Sequence, residues 1–177
     1  MKSSVSNQPR NIFFCKKCKT LSPTIEPHKR HKPDPIPDEL LKNHIFEEVL
    51  GVGAFGAVFK CWDKKLAIYK ASKIMFDIEE FDENAEIDLK ILRMVNHQYI
   101  IKYYGEGKNE EEGWAYVNME LAEMDLKKAI KENLFDTEEK KTLLFKQICE
   151  GVAYLHLELE VFIFYKKNYC IQIDEFI

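Results

Sequence analysis

The chain of 177 residues contains no run of 18 uncharged apolar residues, and its start, "MKSSVSNQPRNIFF", lacks the apolar stretch of a signal peptide. Neither a membrane-spanning helix nor an export signal is therefore expected. Cysteine is sparse and scattered: positions 15, 18, 61, 149 and 170 make an odd set, which argues against a disulfide framework and for a reducing compartment, cytoplasmic or nuclear. With a formal net charge of only −4, the chain has no bulk charge that would favour nucleic acid. Internal repeats are also absent. What is present suits one globular domain with tails, since 46% of residues are hydrophobic and 32% charged, as in ordinary soluble proteins.

Charge and proline divide the chain unevenly. Residues 1–43 carry nine Lys/Arg against four Asp/Glu, or +5, which leaves −9 for the remainder. All six prolines lie in that segment, three of them alternating with other residues in "KPDPIPDE", 32–39. Fixed φ and missing N–H groups favour extended chain there, so 1–43 reads as a disordered basic tail and linker. Cys15 and Cys18 in "FFCKKCK", with His28 and His31 in "PHKRH", have the ligand types of a tetrahedral zinc site. The short spacer and scarcity of apolar residues between the pairs favour a solvated basic segment instead.

From residue 44 the pattern becomes regular. Ala57, Phe59 and Cys61 alternate with Val58, Lys60 and Trp62, the period of a strand. Strands are expected before this segment at "HIFEEVL", after it at 66–76, and later in "YIIKYYGEG" and "GWAYVNMEL" around the acidic turn 108–113. Phe81, Ala85, Asp88, Leu92 and Val95 mark one face of a helix, as do Leu144, Ile148, Val152 and Leu155 of a longer one. A short helix is expected at "DLKKAIKEN", and Asp136 with Glu139 suits the N-terminal cap of the long one. The predicted order is strand, strand, strand, helix, strand, strand, helix, helix.

Three of the chain's seven glycines, Gly51, Gly53 and Gly56, fall within "LGVGAFGAVFK". No helix follows directly, which excludes a dinucleotide fingerprint, and no Gly-Lys-Ser/Thr closes the motif, which excludes a Walker loop. What remains is a hairpin tip whose backbone N–H groups can face an anion. GxGxFGxV between strands resembles the glycine-rich loop of eukaryotic protein kinases. The resemblance implies an α+β fold: a small lobe of a five-stranded antiparallel sheet and one helix, then two helices of an incomplete helical lobe.

The resemblance also implies a site for ATP. Leu50, Gly51, Val52, Gly53, Ala54, Phe55, Gly56 and Val58 would cover the nucleotide, Ala71 would border adenine, and Lys73 would hold the phosphates. Ala71 and Lys73, two apart, share a strand face. Lys70 is the rival, but its alanine, Ala67, lies three residues away on the opposite face, so Lys70 reads as a solvated strand lysine. Counting back from His97 places Asp88, rather than Glu86, in the slot of the carboxylate that pairs with the lysine, although kinases use Glu there. In "YVNMELAEMDL" the resemblance makes Met119 the gatekeeper, Glu120 and Ala122 contacts to the adenine edge, and Asp125 a ribose contact.

The likeness then fails. Where a kinase has His-Arg-Asp after "YLH", this chain has Phe162, Ile163 and Phe164, which neither accept a proton nor bind metal. No Asp-Phe-Gly follows. The expected division is therefore 1–43 tail, 44–161 partial kinase domain and 162–177 a tail unlike the family. The implied function is a serine/threonine kinase domain that binds ATP but is inactive alone, with Mg2+ used by the full family domain and its ligands missing here. The alternative is a pseudokinase-like scaffold that acts through a protein partner. No catalytic residue, nucleic acid or membrane enters either reading.

Overall fold

The computed structural model describes residues 11–24, 33–53, 56–76 and 83–159, with the backbone alone over 83–88. Contacts divide the chain into two units, one of residues 1–80 and 106–121 and one of 81–105 and 122–177. No described helix is long and apolar enough to cross a membrane.

The first unit is built on a five-stranded sheet. Its strands are β4 (His44–Val52), β5 (Gly56–Asp63), β6 (Ile68–Phe76), β7 (Tyr103–Asn109) and β8 (Trp114–Glu120), in the order β4-β5-β6-β8-β7. The pairings β4–β5, β5–β6 and β6–β8 are antiparallel. Residues directly opposite in such pairs share a face. One face thus collects Phe46, Val49 and Val52 of β4, Ala57, Phe59 and Cys61 of β5, and Ile74 of β6. These seven residues belong to or pack against a single buried cluster. The period-two reading of β5 holds in its burial, since Ala57, Phe59 and Cys61 are buried and Val58, Lys60 and Trp62 half-buried.

The segment before residue 44 is not the expected tail. Phe13–Cys15 (β1), Thr20–Ser22 (β2) and Asp34–Pro35 (β3) form a second sheet in the order β2-β1-β3, followed by helix α1, Asp38–Asn43. Ile12, Phe14, Ile36 and Leu40 from this segment are buried in the cluster just described. Phe14 meets Phe59 edge-on at 5.1 Å between ring centroids and stacks on Phe76 at 6.0 Å. The prolines assist this packing. Pro35 sits on an edge strand, where its missing N–H costs no ladder bond. Ile36, between Pro35 and Pro37, donates its own N–H to the Ile12 carbonyl at 2.7 Å. Pro37 then precedes α1 as its N-cap residue. Composition suggested disorder because it averages over the four apolar side chains that decide the outcome.

The second unit carries the helices α2 (Glu83–Met94), α3 (Leu126–Lys131) and α4 (Glu138–Leu157). Leu144, Ile148, Val152 and Leu155 of α4 are all half-buried, and Gly151 beside them is buried. Gly151 faces the 99–100 segment, where a Cβ would lie 3.4 Å from the Ile100 side chain, an ordinary contact distance. The α4 cap is Thr137, whose hydroxyl accepts from the Lys140 N–H at 3.3 Å. Asp136, expected in that place, instead pairs with Lys140 at 2.6 Å. Leu89 of α2 is buried, and Leu92 and Val95 of the predicted stripe are half-buried; the side chains of Phe81, Ala85 and Asp88 lie outside the described residues.

Candidate functional site

The sheet register determines the company Lys73 keeps. Lys73 lies opposite Val58 on one side and Val117 on the other, while Ala71 lies opposite Lys60 and Met119. Val58, Ala71, Lys73, Val117 and Met119 therefore occupy one face, the reverse of the face that holds Ile74 and Phe59. Gly51 pairs with Val58 and so joins them. Ala71, Val117 and Met119 are buried and Lys73 and Val58 half-buried. An ammonium thus stands at the border of a small apolar surface.

Lys70 is not solvated. It is 3% exposed and ion-paired with Asp63 Oδ2 on the core side of the sheet. Burial pushes the Asp63 carboxyl up, but the Lys70 ammonium and the N–H groups of Leu66 and Lys65 outweigh it and hold the group down to about 2. His44 Nε2 lies 3.5 Å from the same carboxylate, with Nδ1 3.0 Å from the Leu40 carbonyl. Burial and the nearby Lys70 charge lower its pKa from the ordinary histidine value. Nearby Cys61 is pushed up to about 12, chiefly by burial, and remains a thiol.

Within the glycine-rich hairpin the glycines answer to different demands. A Cβ at Gly56 would fall 2.0 Å from the Ile74 carbonyl oxygen, a backbone clash that forbids any larger residue. A Cβ at Gly51 would meet nothing within 4 Å. Gly53 donates to the Gly56 carbonyl at 2.9 Å and closes the tip. Register shifts between Phe46 and Glu48 and between Val49 and Gly51 bulge β4 just ahead of it, which adds twist. Leu50 in this stretch is exposed and Val52 half-buried; Ala54 and Phe55 lie outside the described residues.

The remaining sequence candidates are more dispersed. Glu120 and Ala122 are exposed. Asp125 has a local duty, since its carboxylate caps α3 by accepting from the Lys128 N–H at 2.7 Å. The Asp88 side chain lies outside the description, as do Phe162, Ile163, Phe164, His28 and His31. Among the described residues no cluster of three or more His, Cys, Asp or Glu is placed to hold a metal. His97 stacks on Tyr154 at 4.9 Å, and the Asn96 N–H donates to the Tyr154 hydroxyl at 3.2 Å. These bonds tie the end of α2 to α4. The aromatic residue ahead of "LH" in "YLH" was the available signal for this contact.

The face fits a nucleotide chemically: an apolar floor for a base, a cation for phosphate, and an open position at Gly51 where a side chain would otherwise intrude. Residues 44–166 match the family model of the protein kinase domain. Over 147 residues, 76% of the chain, it is 29% identical to serine/threonine-protein kinase 10 of Xenopus tropicalis. Over 121 residues, 64% of the chain, it is 30% identical to mitogen-activated protein kinase kinase kinase 3 of Homo sapiens. Over 110 residues, 62% of the chain, it is 31% identical to myosin light chain kinase family member 4 of Mus musculus. The chain belongs to the protein kinase family. It spans only 14%, 19% and 28% of those three relatives, so their whole activities do not transfer to it directly.

Proposed function

We propose that the chain is a serine/threonine-type kinase domain part that binds ATP on the Gly51, Val58, Ala71, Lys73, Val117 and Met119 face and transfers no phosphate by itself. Lys73 carries this reading, because the register sets its ammonium on the same face as the glycine hairpin while Lys70 is committed to Asp63. The adenine would lie against Ala71 and Met119, and the phosphates near Lys73 and the N–H groups at the hairpin tip. Kinases complete the reaction with an aspartate that accepts the hydroxyl proton and with side chains that hold Mg2+. Phe162, Ile163 and Phe164, in the aligned positions, have no oxygen to offer. Phosphorylation of protein hydroxyls would therefore require groups that this stretch does not supply.

The test is thermal unfolding with and without MgATP. Lys73→Ala is expected to abolish the ATP-dependent rise in melting temperature while the chain still unfolds cooperatively. Lys70→Ala is expected to lower stability itself by about 3–5 kcal/mol, because it strands a buried carboxylate. An undiminished ATP response in Lys73→Ala would refute the site. A second reading, a pseudokinase-like scaffold for a protein partner, draws support from the second unit. There Ile130, Phe135, Leu144, Phe145 and Ile148 line an open apolar groove of about 490 Å³, and Phe145 is 69% exposed. Absence of any ATP response in the parent chain would leave that reading alone.

A further inference from the structure

We propose that Cys15 and Cys18 form a reversible disulfide across the turn between β1 and β2, a redox modification site that takes a low-molecular-weight disulfide such as oxidised glutathione as its oxidant. Cys15 ends β1 and pairs with Thr20, so Lys16 to Lys19 form the connection. The Lys19 N–H donates to the Cys15 carbonyl at 2.7 Å and closes it. Lys19 takes φ of 55° there, a left-handed conformation uncommon for a residue with a side chain. A turn this tight keeps Cα atoms three residues apart within about 7 Å, and a disulfide needs about 4.4–6.8 Å. The side chains also converge. The Cys18 N–H donates to Cys15 Sγ at 3.4 Å, and the Cys18 side chain hydrogen-bonds to that of Cys15. The two sulfurs therefore meet inside one turn.

The two cysteines differ in access. Cys15 is fully buried whereas Cys18 is exposed, so an incoming disulfide reaches Cys18 first. Lys16, Lys17 and Lys19 are exposed on either side of it and draw in an anionic oxidant of the glutathione type. In the first step the Cys18 thiolate attacks one sulfur of the oxidant, a mixed disulfide forms, and the other half leaves as a thiolate. In the second the Cys15 thiolate attacks Cys18 Sγ, and the remaining half leaves. Two electrons pass from the cysteine pair to the oxidant. Its S–S bond breaks as the Cys15–Cys18 bond forms, and the two cysteine protons end on the two thiols released. Reduction runs the same steps backward with a free thiol as donor.

Because the second thiol is held beside the reacting sulfur rather than drawn from solution, the pair closes more readily than a single exposed cysteine such as Cys149 forms a mixed disulfide. The rate is another matter. The bond to Cys15 raises the Cys18 pKa above the ordinary thiol value, against the opposing Lys17 charge, so thiolate is scarce at neutral pH. Closure is therefore slow near pH 7 and quickens about tenfold per pH unit. The pair follows a sustained redox poise rather than a brief pulse of oxidant. Its effect falls on the N-terminal cover, since Cys15 adjoins Phe14, whose ring lies against Phe59 and Phe76. Linkage fastens the turn that holds β1 to β2 in a sheet whose strands are two or three residues long. The nucleotide face lies on the reverse of the larger sheet, so the two sites stand or fall separately.

The experiment incubates the full chain, with a chelator present throughout, in graded mixtures of reduced and oxidised glutathione, then blocks the remaining thiols with a maleimide and maps them by mass spectrometry. At mixtures that leave Cys149 mostly unmodified, the peptide bearing Cys15 and Cys18 is expected to lose two hydrogens and take no maleimide. Dithiothreitol should restore both thiols. Closure should run about tenfold faster at pH 8 than at pH 7. Cys18→Ser, at an exposed position, should leave the buried Cys15 reduced and free of glutathione, while Cys15→Ala should hold Cys18 as a mixed disulfide. The closed parent should melt above the reduced parent, a difference absent from Cys18→Ser. In the parent chain, Cys15 and Cys18 still reduced where Cys149 is modified, or a stable mixed disulfide at Cys18, would overturn the proposal.

Discussion

Lys70 and Lys73 stand three residues apart on β6, and the pleat gives them opposite uses. Lys73 stands on a face with apolar neighbours, while Lys70 is locked into a polar cluster with Asp63 and His44. The cluster makes stability depend on pH in two windows. Asp63 is depressed to about 2 from 3.8, so its contribution is complete above about pH 4 and drains away as pH falls toward 2. The His44 pKa is lowered from 6.5 by burial first and then by the Lys70 charge, against the opposing pull of the Leu40 carbonyl and Asp63. The unfolded chain therefore takes up the proton before the folded one, and stability declines as pH falls below about 6.5. Urea unfolding at pH 7.5 and 5.5 should show this loss in the parent chain and a smaller loss in His44→Gln. An equal loss in the variant would assign the slope to other histidines.

At the scale of the hairpin, Gly51 and Gly56 separate structural demand from ligand demand. Gly56→Ala would drive a methyl group into the Ile74 carbonyl and force β5 and β6 apart. We expect a loss of about 1–3 kcal/mol, of the order seen for overpacked positions. Gly51→Ala has open space around its Cβ, so stability should change by no more than about 1 kcal/mol while ATP affinity falls. Urea midpoints alongside nucleotide titration distinguish the two, and a Gly51→Ala chain as unstable as Gly56→Ala would contradict the division. These elements were legible in sequence because β5, β6 and β8 are seven to nine residues long, enough for alternation to show, and because Gly-rich tips have few uses. The shared face of Ala71 and Lys73 followed from the same period. The burial of Lys70 did not, since its partner Asp63 lies across the β5–β6 hairpin. β1, β2 and β3, at two or three residues each, are too short to display any period.

The first unit as a whole is a kinase-type sheet with an added cover, and the cover is part of its core. The family match begins at residue 44, yet Phe59 and Ile74 within that match are fully buried in part by Ile12, Phe14, Ile36 and Leu40 from before it. A chain started at residue 44 would retain every residue proposed for ATP and lose the apolar layer over the opposite face. Exposed surface of that kind drives association. The shortened chain is therefore expected to be largely insoluble, or to bind a hydrophobic dye and melt without a cooperative transition. A gentler version keeps the chain intact: Phe14→Ala removes a fully buried ring that touches Phe59 and Phe76 and should cost about 3–5 kcal/mol. The control is Lys16→Ala in the adjoining turn, an exposed position expected to shift stability by less than about 0.5 kcal/mol. If urea unfolding found Phe14→Ala as stable as Lys16→Ala, residues 11–43 would be an appendage, and the buried face of the sheet would need some other cover.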